Sequence, residues 1–190
     1  MATGLYTGDR DTEPRLALVA HFVVGDDPNP RDVLLINLHL TTLKGEREGF
    51  PERDDLGSQI RLGQIDVVLR GIVSRYNDWW QKEKAARKEI EKRLPPVWII
   101  AGDFNCTPES PEIVKMKRMN FLDLNSAKGR GNKGSGRPPT PEITVDYIFA
   151  GPMYWAFDPH AVEHTVAANP TPLIQVAISD HYPIVASVPV

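Results

Sequence analysis

The stretch VWIIAGDFN, residues 97–105, decides the fold, because it predicts a buried strand that ends in polar side chains. Its apolar half, Val97 to Ala101, is too short for a helix and is bounded by Pro and Gly, which favours a strand. Alternation along that strand would send Asp103 and Asn105 to the same side, pointing together into a crevice. An Asx-type turn that begins the next helix is the structural alternative for this Asp-x-Asn pattern.

Two apolar, β-branched runs lie upstream, at Arg15 to Val24 and at Val33 to Leu40. The segment between them, GDDPNPRD, is rich in Gly, Asp and Pro, which disfavour both a helix and a strand ladder. We therefore predict a hairpin. Downstream, the runs Thr144 to Ala150 and Pro183 to Val188 predict further strands.

A change of hydrophobic period after Gly57 predicts an amphipathic helix that packs on the sheet. Its apolar residues, three and four positions apart, are Leu62, Ile65, Leu69, Ile72, Val73 and Tyr76. The charged run Gln81 to Arg93 has few apolar anchors, so we expect it to extend the helix as a solvated segment until Pro95 and Pro96 stop it. A short helix is also expected from Glu109 to Met119.

Composition narrows the class of protein. The 190 residues, 41% apolar and 25% charged, suit one globular domain over residues 1–190, and no apolar run is long enough to predict a membrane span or a signal peptide. Cys106 is the single cysteine, so no internal disulfide is possible and a cytoplasmic location is expected. The net charge of −3 argues against coating of nucleic acid over the whole surface, so phosphate binding should be local.

Polar residues recur where apolar strands end. Asn37 and His39 close one run, Asp146 interrupts another, and Asp180 with His181 separates two more. Each alone has a structural explanation, such as a satisfied core histidine, but a buried carboxylate or imidazole needs a partner. Together with Asp103 and Asn105, these groups can hold a hard cation, orient a water and stabilise a phosphoryl oxyanion.

Other phosphate chemistry is disfavoured. Carboxylates favour Mg²⁺ or Mn²⁺, whereas the sequence has no Cys cluster for zinc. It has no Gly-rich phosphate loop followed by Lys, so a nucleotide triphosphatase is not predicted.

At these positions the sequence resembles the endonuclease/exonuclease/phosphatase superfamily, also called DNase I-like. The ordered set that carries the resemblance comprises Asn-x-His-Leu at residues 37–40, an Arg-x-x-Gln helix at Arg61 and Gln64, Gly-Asp-Phe-Asn at 102–105, Asp-Tyr-Ile-Phe at 146–149 and Ser-Asp-His at 179–181. The resemblance implies an α/β (α+β) fold, a four-layer αββα sandwich of two mainly antiparallel sheets.

The resemblance also implies roles for individual residues. Asp103 would orient or deprotonate the attacking water, and Asp180, with Asp103, would bind Mg²⁺ or Mn²⁺. Asn105 would hold a phosphate oxygen or the nucleophile. His181 would face the scissile phosphate, with Asp146 fixing its tautomer, and His39 would be the second phosphate-facing imidazole.

The sequence departs from the family's pattern at the N-terminal end of the domain. The family begins with a strand bearing an Asn, followed by a Gln-Glu whose Glu is a metal ligand, and no Gln-Glu dipeptide occurs here. The N-terminal part of the domain is therefore expected to be missing. A protein partner or an upstream segment would complete the sheet, or the chain is a degenerate, non-catalytic relative.

These features lead to one preferred function and open alternatives. We expect a divalent-metal-dependent phosphodiesterase, a nuclease, whose nucleic acid or other phosphoester substrate contacts Asn105 and His39. The basic stretch from Ser126 to Arg137, with Lys128 and Arg130, would meet the backbone of a polyanion, or is simply a solvated loop. The alternatives are a phosphatase or phospholipase of the same superfamily, and a binding subunit without turnover.

Overall fold

A computed structural model describes residues 15–25, 30–41, 55–87, 94–124, 144–151, 163–166 and 184–187. Its strands are β1 (Ala17–Val24), β2 (Arg31–His39), β3 (Leu94–Asp103), β4 (Leu122–Asp123), β5 (Asp146–Gly151), β6 (Glu163–Val166) and β7 (Ile184–Ser187). Its helices are α1 (Asp55–Asp66), a π-helical segment (Val67–Ser74), α2 (Arg75–Ala86) and α3 (Pro111–Arg118).

Five strands form one mixed sheet in the order β1, β2, β3, β5, β4. β1 and β2 pair antiparallel from Ala17 opposite Leu38 to Val24 opposite Arg31, which confirms the predicted hairpin. β2 and β3 run parallel, so the chain must cross over between them, and the long helical stretch provides that connection. β5 pairs antiparallel with both β3 and β4.

The predicted amphipathic helix is confirmed, with two changes. It contains an eight-residue π-helical segment, Val67–Ser74, a widened form that occurs mostly as short insertions and often at functional sites. It also ends at Ala86, where Arg87 has an extended backbone, so the expected helical extension is confirmed from Gln81 to Ala86. The rest of that predicted extension, residues 88–93, lies outside the described residues.

The core lies between this helical stretch and one face of the sheet. Even-numbered residues of β2 and β3 meet the apolar stripe of the helix, and the cluster includes Leu34, Ile36, Leu38, Ile65, Val68, Leu69, Val73, Trp98, Ile100, Phe104, Tyr147 and Phe149. The indole of Trp98 donates a hydrogen bond to Asn77 Oδ1 at 2.9 Å, so its one polar group is satisfied. The apolar face of the strands, marked in the sequence by a period of two, therefore packs on the apolar face of the helix, marked by a period of 3.6.

β1 lies at one edge of the sheet that the described strands form. Large apolar side chains stay exposed on both of its faces, and they include Leu18, Val19, Phe22 and Val23. Its sequence, ALVAHFVV, has none of the lysines or prolines that usually protect an edge strand. A further layer or strand would bury this surface.

The fold class, α/β, is confirmed by the mixed sheet and its helices. The second sheet that the structure describes is the antiparallel pair β6 and β7, and β7 lies close to β5. The four-layer sandwich and the missing N-terminal part remain predictions. Within the described ranges, no helix has the length and apolar character needed to cross a membrane.

Candidate active site

Three of the predicted site residues stand in a row across neighbouring strands. His39, the last residue of β2, is the register partner of Asp103, the last residue of β3. Asp103 is in turn the register partner of Asp146, the first residue of β5. Register partners project from the same face of a sheet, here the face opposite the helical core. The strand pairing thus brings together residues far apart in sequence.

His39 and Asp103 are in direct contact. The imidazole Nε2 lies 3.4 Å from Asp103 Oδ2, a distance compatible with an ion pair when the histidine is protonated. The histidine side chain is 55% exposed and the aspartate side chain 13% exposed. An accessible imidazole beside a largely shielded carboxylate can exchange protons with a ligand at this edge of the sheet.

The Asp103–Asn105 segment differs from the simple strand alternation expected from the sequence. β3 ends at Asp103, and Asn105 has a φ of 50°, so the expectation that the two side chains share a strand face is wrong. Asn105 N donates to Asp103 Oδ1 at 2.7 Å, which is the Asx-type turn that the sequence left open. The buried Asn105 side chain donates to Leu40 O at 3.0 Å, so it holds the loop after His39.

Gly102 allows the close approach of β2 to β3 beside the site. Its φ is +136°, and a Cβ built there would lie 1.9 Å from the carbonyl oxygen of Leu38. No side chain fits that space without movement of the backbone. The glycine therefore lets His39 and Asp103 occupy neighbouring strand ends.

The remaining predicted site residues, Asp180, His181, Lys128 and Arg130, lie outside the described residues. The expected contact between Asp146 and His181 is therefore untested. In the described part of the chain, no three His, Cys, Asp or Glu residues are placed to hold a metal ion. Carboxylate oxygens such as those of Asp103 and Asp146 are the donors that hard cations prefer.

A cavity of about 430 Å³ opens beside His39. The ends of β1 and β2 and the π-helical segment line it, and the lining comprises Arg15, Leu16, Ala17, Leu38, His39, Leu40, Gln64, Val67, Val68, Gly71, Ile72 and Arg75. Among these described residues the charged or titratable groups are two arginines and one histidine, with no carboxylate. Such a lining favours an anionic ligand.

Sequence reasoning missed two polar residues close to this site, Thr41 and Glu112. Both are fully buried, and they bind Gln64 and Arg61 of the Arg-x-x-Gln helix. Glu112 follows Pro111 in the first turn of a helix, where acidic residues are common because they interact favourably with the helix dipole. Only its burial distinguishes it from an ordinary first-turn glutamate.

Comparison with known proteins identifies relatives. The sequence matches the Endonuclease/Exonuclease/phosphatase family over residues 9–181. A search of curated proteins finds no match.

Similar solved structures share the fold at low sequence identity. They include truncated TDP2 from Caenorhabditis elegans, with 16% identity and a TM-score of 0.52 over 93% of this chain and 60% of that one. An endonuclease/exonuclease/phosphatase family protein from Bacteroides thetaiotaomicron has 15% identity and a TM-score of 0.54 over 94% and 56%. The mannosyl-6-phosphatase Bt3783 from Bacteroides thetaiotaomicron VPI-5482 has 16% identity and a TM-score of 0.50 over 95% and 59%. The chain thus spans 56–60% of the length of these structures.

Proposed function

This chain belongs to the Endonuclease/Exonuclease/phosphatase family, and from that premise we propose that it is a divalent-metal-dependent phosphodiesterase acting on nucleic acid. The observation that carries the proposal is the row of His39, Asp103 and Asp146 on three neighbouring strands. Two carboxylates and an accessible imidazole at one edge are the groups that phosphoester hydrolysis needs for proton transfer and charge stabilisation.

In the proposed reaction Asp103 orients the attacking water and accepts its proton. One of its oxygens is already held by the Asn105 amide, which leaves Oδ2 directed toward His39. The exposed imidazole, when protonated, donates to a phosphoryl oxygen or to the leaving oxygen. Asn105 contributes indirectly, because its side-chain amide holds the backbone carbonyl of Leu40 next to His39.

The proposed metal is Mg²⁺ or Mn²⁺, held by Asp103 and Asp180. The carboxylate oxygens at this edge fit such a cation, since Mg²⁺ prefers hard oxygen ligands. When bound, the cation would supply Lewis-acid stabilisation of the phosphoryl oxygens.

Local positive charge supports an anionic substrate despite the net charge of −3. Arg15 and Arg75 line the cavity next to His39. Lys128 and Arg130 would add to this charge if their loop approaches the same edge. Phosphate contacts of this kind bind nucleic acid without reading its sequence.

We further propose that another polypeptide segment pairs with β1 and completes the sheet. Two observations support it, the exposed apolar faces of β1 and the extra length of the similar solved structures. The segment would come from a protein partner or from upstream sequence. It would also close the side of the cavity that Leu16 and Ala17 form.

The test is hydrolysis of bis-p-nitrophenyl phosphate, a diester, beside p-nitrophenyl phosphate, a monoester, and a labelled oligonucleotide, each with Mg²⁺ or Mn²⁺. Asp103→Asn should abolish turnover while preserving the Asx turn, because the amide oxygen still accepts from Asn105 N. His39→Gln should lower kcat by about 10²- to 10⁴-fold, the usual contribution of a positioned acid or base.

The chain offers a matched control at the opposite end of β2. His21 Nε2 lies 2.8 Å from Asp32 Oδ1, so a second His and Asp pair joins adjacent strands far from the site. His21→Gln should leave turnover unchanged. Equal rates in wild type and Asp103→Asn would refute the proposal, faster monoester hydrolysis would favour a phosphatase, and binding of the oligonucleotide without cleavage would favour a binding subunit.

A further inference from the structure

A buried polar cluster lies beneath the loop that follows His39. We call it the Thr41 cluster, and it consists of Thr41, Arg61, Gln64 and Glu112, each at most 3% exposed. Thr41 follows β2, Arg61 and Gln64 belong to α1, and Glu112 lies in the first turn of α3. Three separate elements therefore meet at one polar point inside an apolar core.

Every polar group of Thr41 is bound by a side chain of α1. Its amide donates to Gln64 Oε1 at 3.1 Å, and its hydroxyl accepts from Gln64 Nε2 at 2.9 Å. Its carbonyl accepts from the guanidinium of Arg61 at 3.4 Å. Because one side chain satisfies both the amide and the hydroxyl, Gln64 fixes the direction as well as the position of this residue.

The neighbouring residue, Leu40, is held from the other side by the turn after β3. Its amide donates to Asp103 O at 2.9 Å, and its carbonyl accepts from Asn105 Nδ2 at 3.0 Å. The two residues that follow His39 are thus clamped between α1 and the Asp103 turn. Both sets of bonds hold the backbone directly after His39.

Stability alone does not account for the cluster. Removing two charges from water costs several kcal/mol each, and well-packed apolar residues often replace a buried ion pair without loss of stability. Arg61 Nε donates to Glu112 Oε1 at 2.8 Å, while Glu112 Oε2 is buried with no hydrogen-bond partner among the described residues. A glutamate in the first turn of α3 stabilises the helix dipole equally well when it is exposed. The helix dipole therefore does not explain why Glu112 contacts α1.

We propose that Arg61, Gln64 and Glu112 are positioning residues that set the spacing of His39 and Asp103 through Thr41. Glu112 orients the guanidinium of Arg61, and Arg61 and Gln64 then hold the backbone of Thr41. The catalytic part of this inference rests on the proposed function, whereas the geometric part does not. A shift of about 1 Å between reacting groups is enough to slow an enzyme by about 10²-fold.

The test compares Gln64→Leu, which removes both side-chain bonds to Thr41, with Gln59→Leu on the exposed face of the same helix. Thr41→Val and Thr41→Ser form a second pair, in which only the valine removes the hydroxyl. The first readout is amide hydrogen exchange by NMR at Leu40 and Thr41, with Ile36 and Ile100 reporting on the core strands. The second is kcat and KM for bis-p-nitrophenyl phosphate with Mg²⁺.

Gln64→Leu should lower protection of Thr41 about tenfold, the effect of losing a buried hydrogen bond, and leave Ile36 and Ile100 unchanged. Thr41→Val should lower protection of Thr41 to a similar extent, whereas Thr41→Ser, which keeps the hydroxyl, should show the protection of wild type. In variants that lose local protection, kcat should fall at least tenfold with little change in KM. The control Gln59→Leu should match wild type in both readouts.

Unchanged exchange at Leu40 and Thr41 in both Gln64→Leu and Thr41→Val would overturn the inference. An equal loss of protection at Ile36, Ile100 and Thr41 would also overturn it, since the cluster would then only stabilise the whole fold. A local loss of protection in a protein whose wild type hydrolyses no substrate would support the geometric inference and refute the proposed function.

Discussion

Replacement of Gly102 by alanine should strongly destabilise the protein, because no Cβ fits at this position. The added carbon would stand 1.9 Å from Leu38 O and 3.1 Å from Asn37 Oδ1, and φ is +136°, where L side chains are strained. We estimate about 1–3 kcal/mol from the backbone conformation and about 1–3 kcal/mol from overpacking. The sum, about 2–6 kcal/mol, is a large part of the usual 5–15 kcal/mol stability of a domain.

Gly63→Ala is the matched control. Gly63 lies in α1, and a methyl group added there would meet nothing within 4 Å, so alanine should stabilise the helix by about 0.5–1 kcal/mol. Urea denaturation followed by circular dichroism measures both free energies of unfolding. If Gly102→Ala changes the free energy by less than about 0.5 kcal/mol, the range of ordinary surface substitutions, the reasoning about strand approach at the site is refuted.

Three further predictions follow from the site and the sheet edge. Arg61→Met should lower the free energy of unfolding by about 3–5 kcal/mol, because it leaves the buried carboxylate of Glu112 without its ion-pair partner. In urea denaturation, the double variant with Glu112→Leu should lose less stability than the two single variants added together. Additive losses would contradict a coupled pair. Because β1 exposes large apolar side chains, the unmodified chain should self-associate in light scattering. Phe22→Lys should reduce that association while changing stability by about 0.5 kcal/mol or less, and equal association in both proteins would mean that β1 is not the surface responsible. Chelation by EDTA should abolish diester hydrolysis and Mg²⁺ should restore it, whereas a rate indifferent to both would exclude the proposed metal dependence.

Local patterns predicted most elements because they reflect local physics. The hairpin, the helix after Gly57 and the strand before Asp103 each follow from periodicity and from Gly and Pro punctuation. The helix end at Ala86 was missed because no Gly or Pro marks that position in the sequence. The π-helical segment, Val67–Ser74, has no comparable sequence signal, since its apolar pattern also suits an α-helix.

For the site, too, local sequence patterns identified candidate residues but not their arrangement. The polar residues at strand ends identified His39, Asp103 and Asp146 as candidates, since each is costly in an apolar run. Their order across the sheet depends on register, which places His39 opposite Asp103 and Asp103 opposite Asp146. The structure adds a contact that the sequence did not predict, because the left-handed backbone of Asn105 turns its amide toward Leu40. The predicted contact of Asn105 with a phosphate oxygen or the nucleophile stays a prediction.

By itself the sequence determined the family, the α/β class and the residue types available for phosphoester chemistry, because these depend on local composition and on an ordered set of motifs. Tertiary structure alone decided that β2 lies beside β3, that Gly102 admits that approach, and that Arg61, Gln64 and Glu112 converge on Thr41. Each of these depends on contacts between residues distant along the chain. No local propensity encodes such contacts, since burial and pairing arise only when the elements pack together.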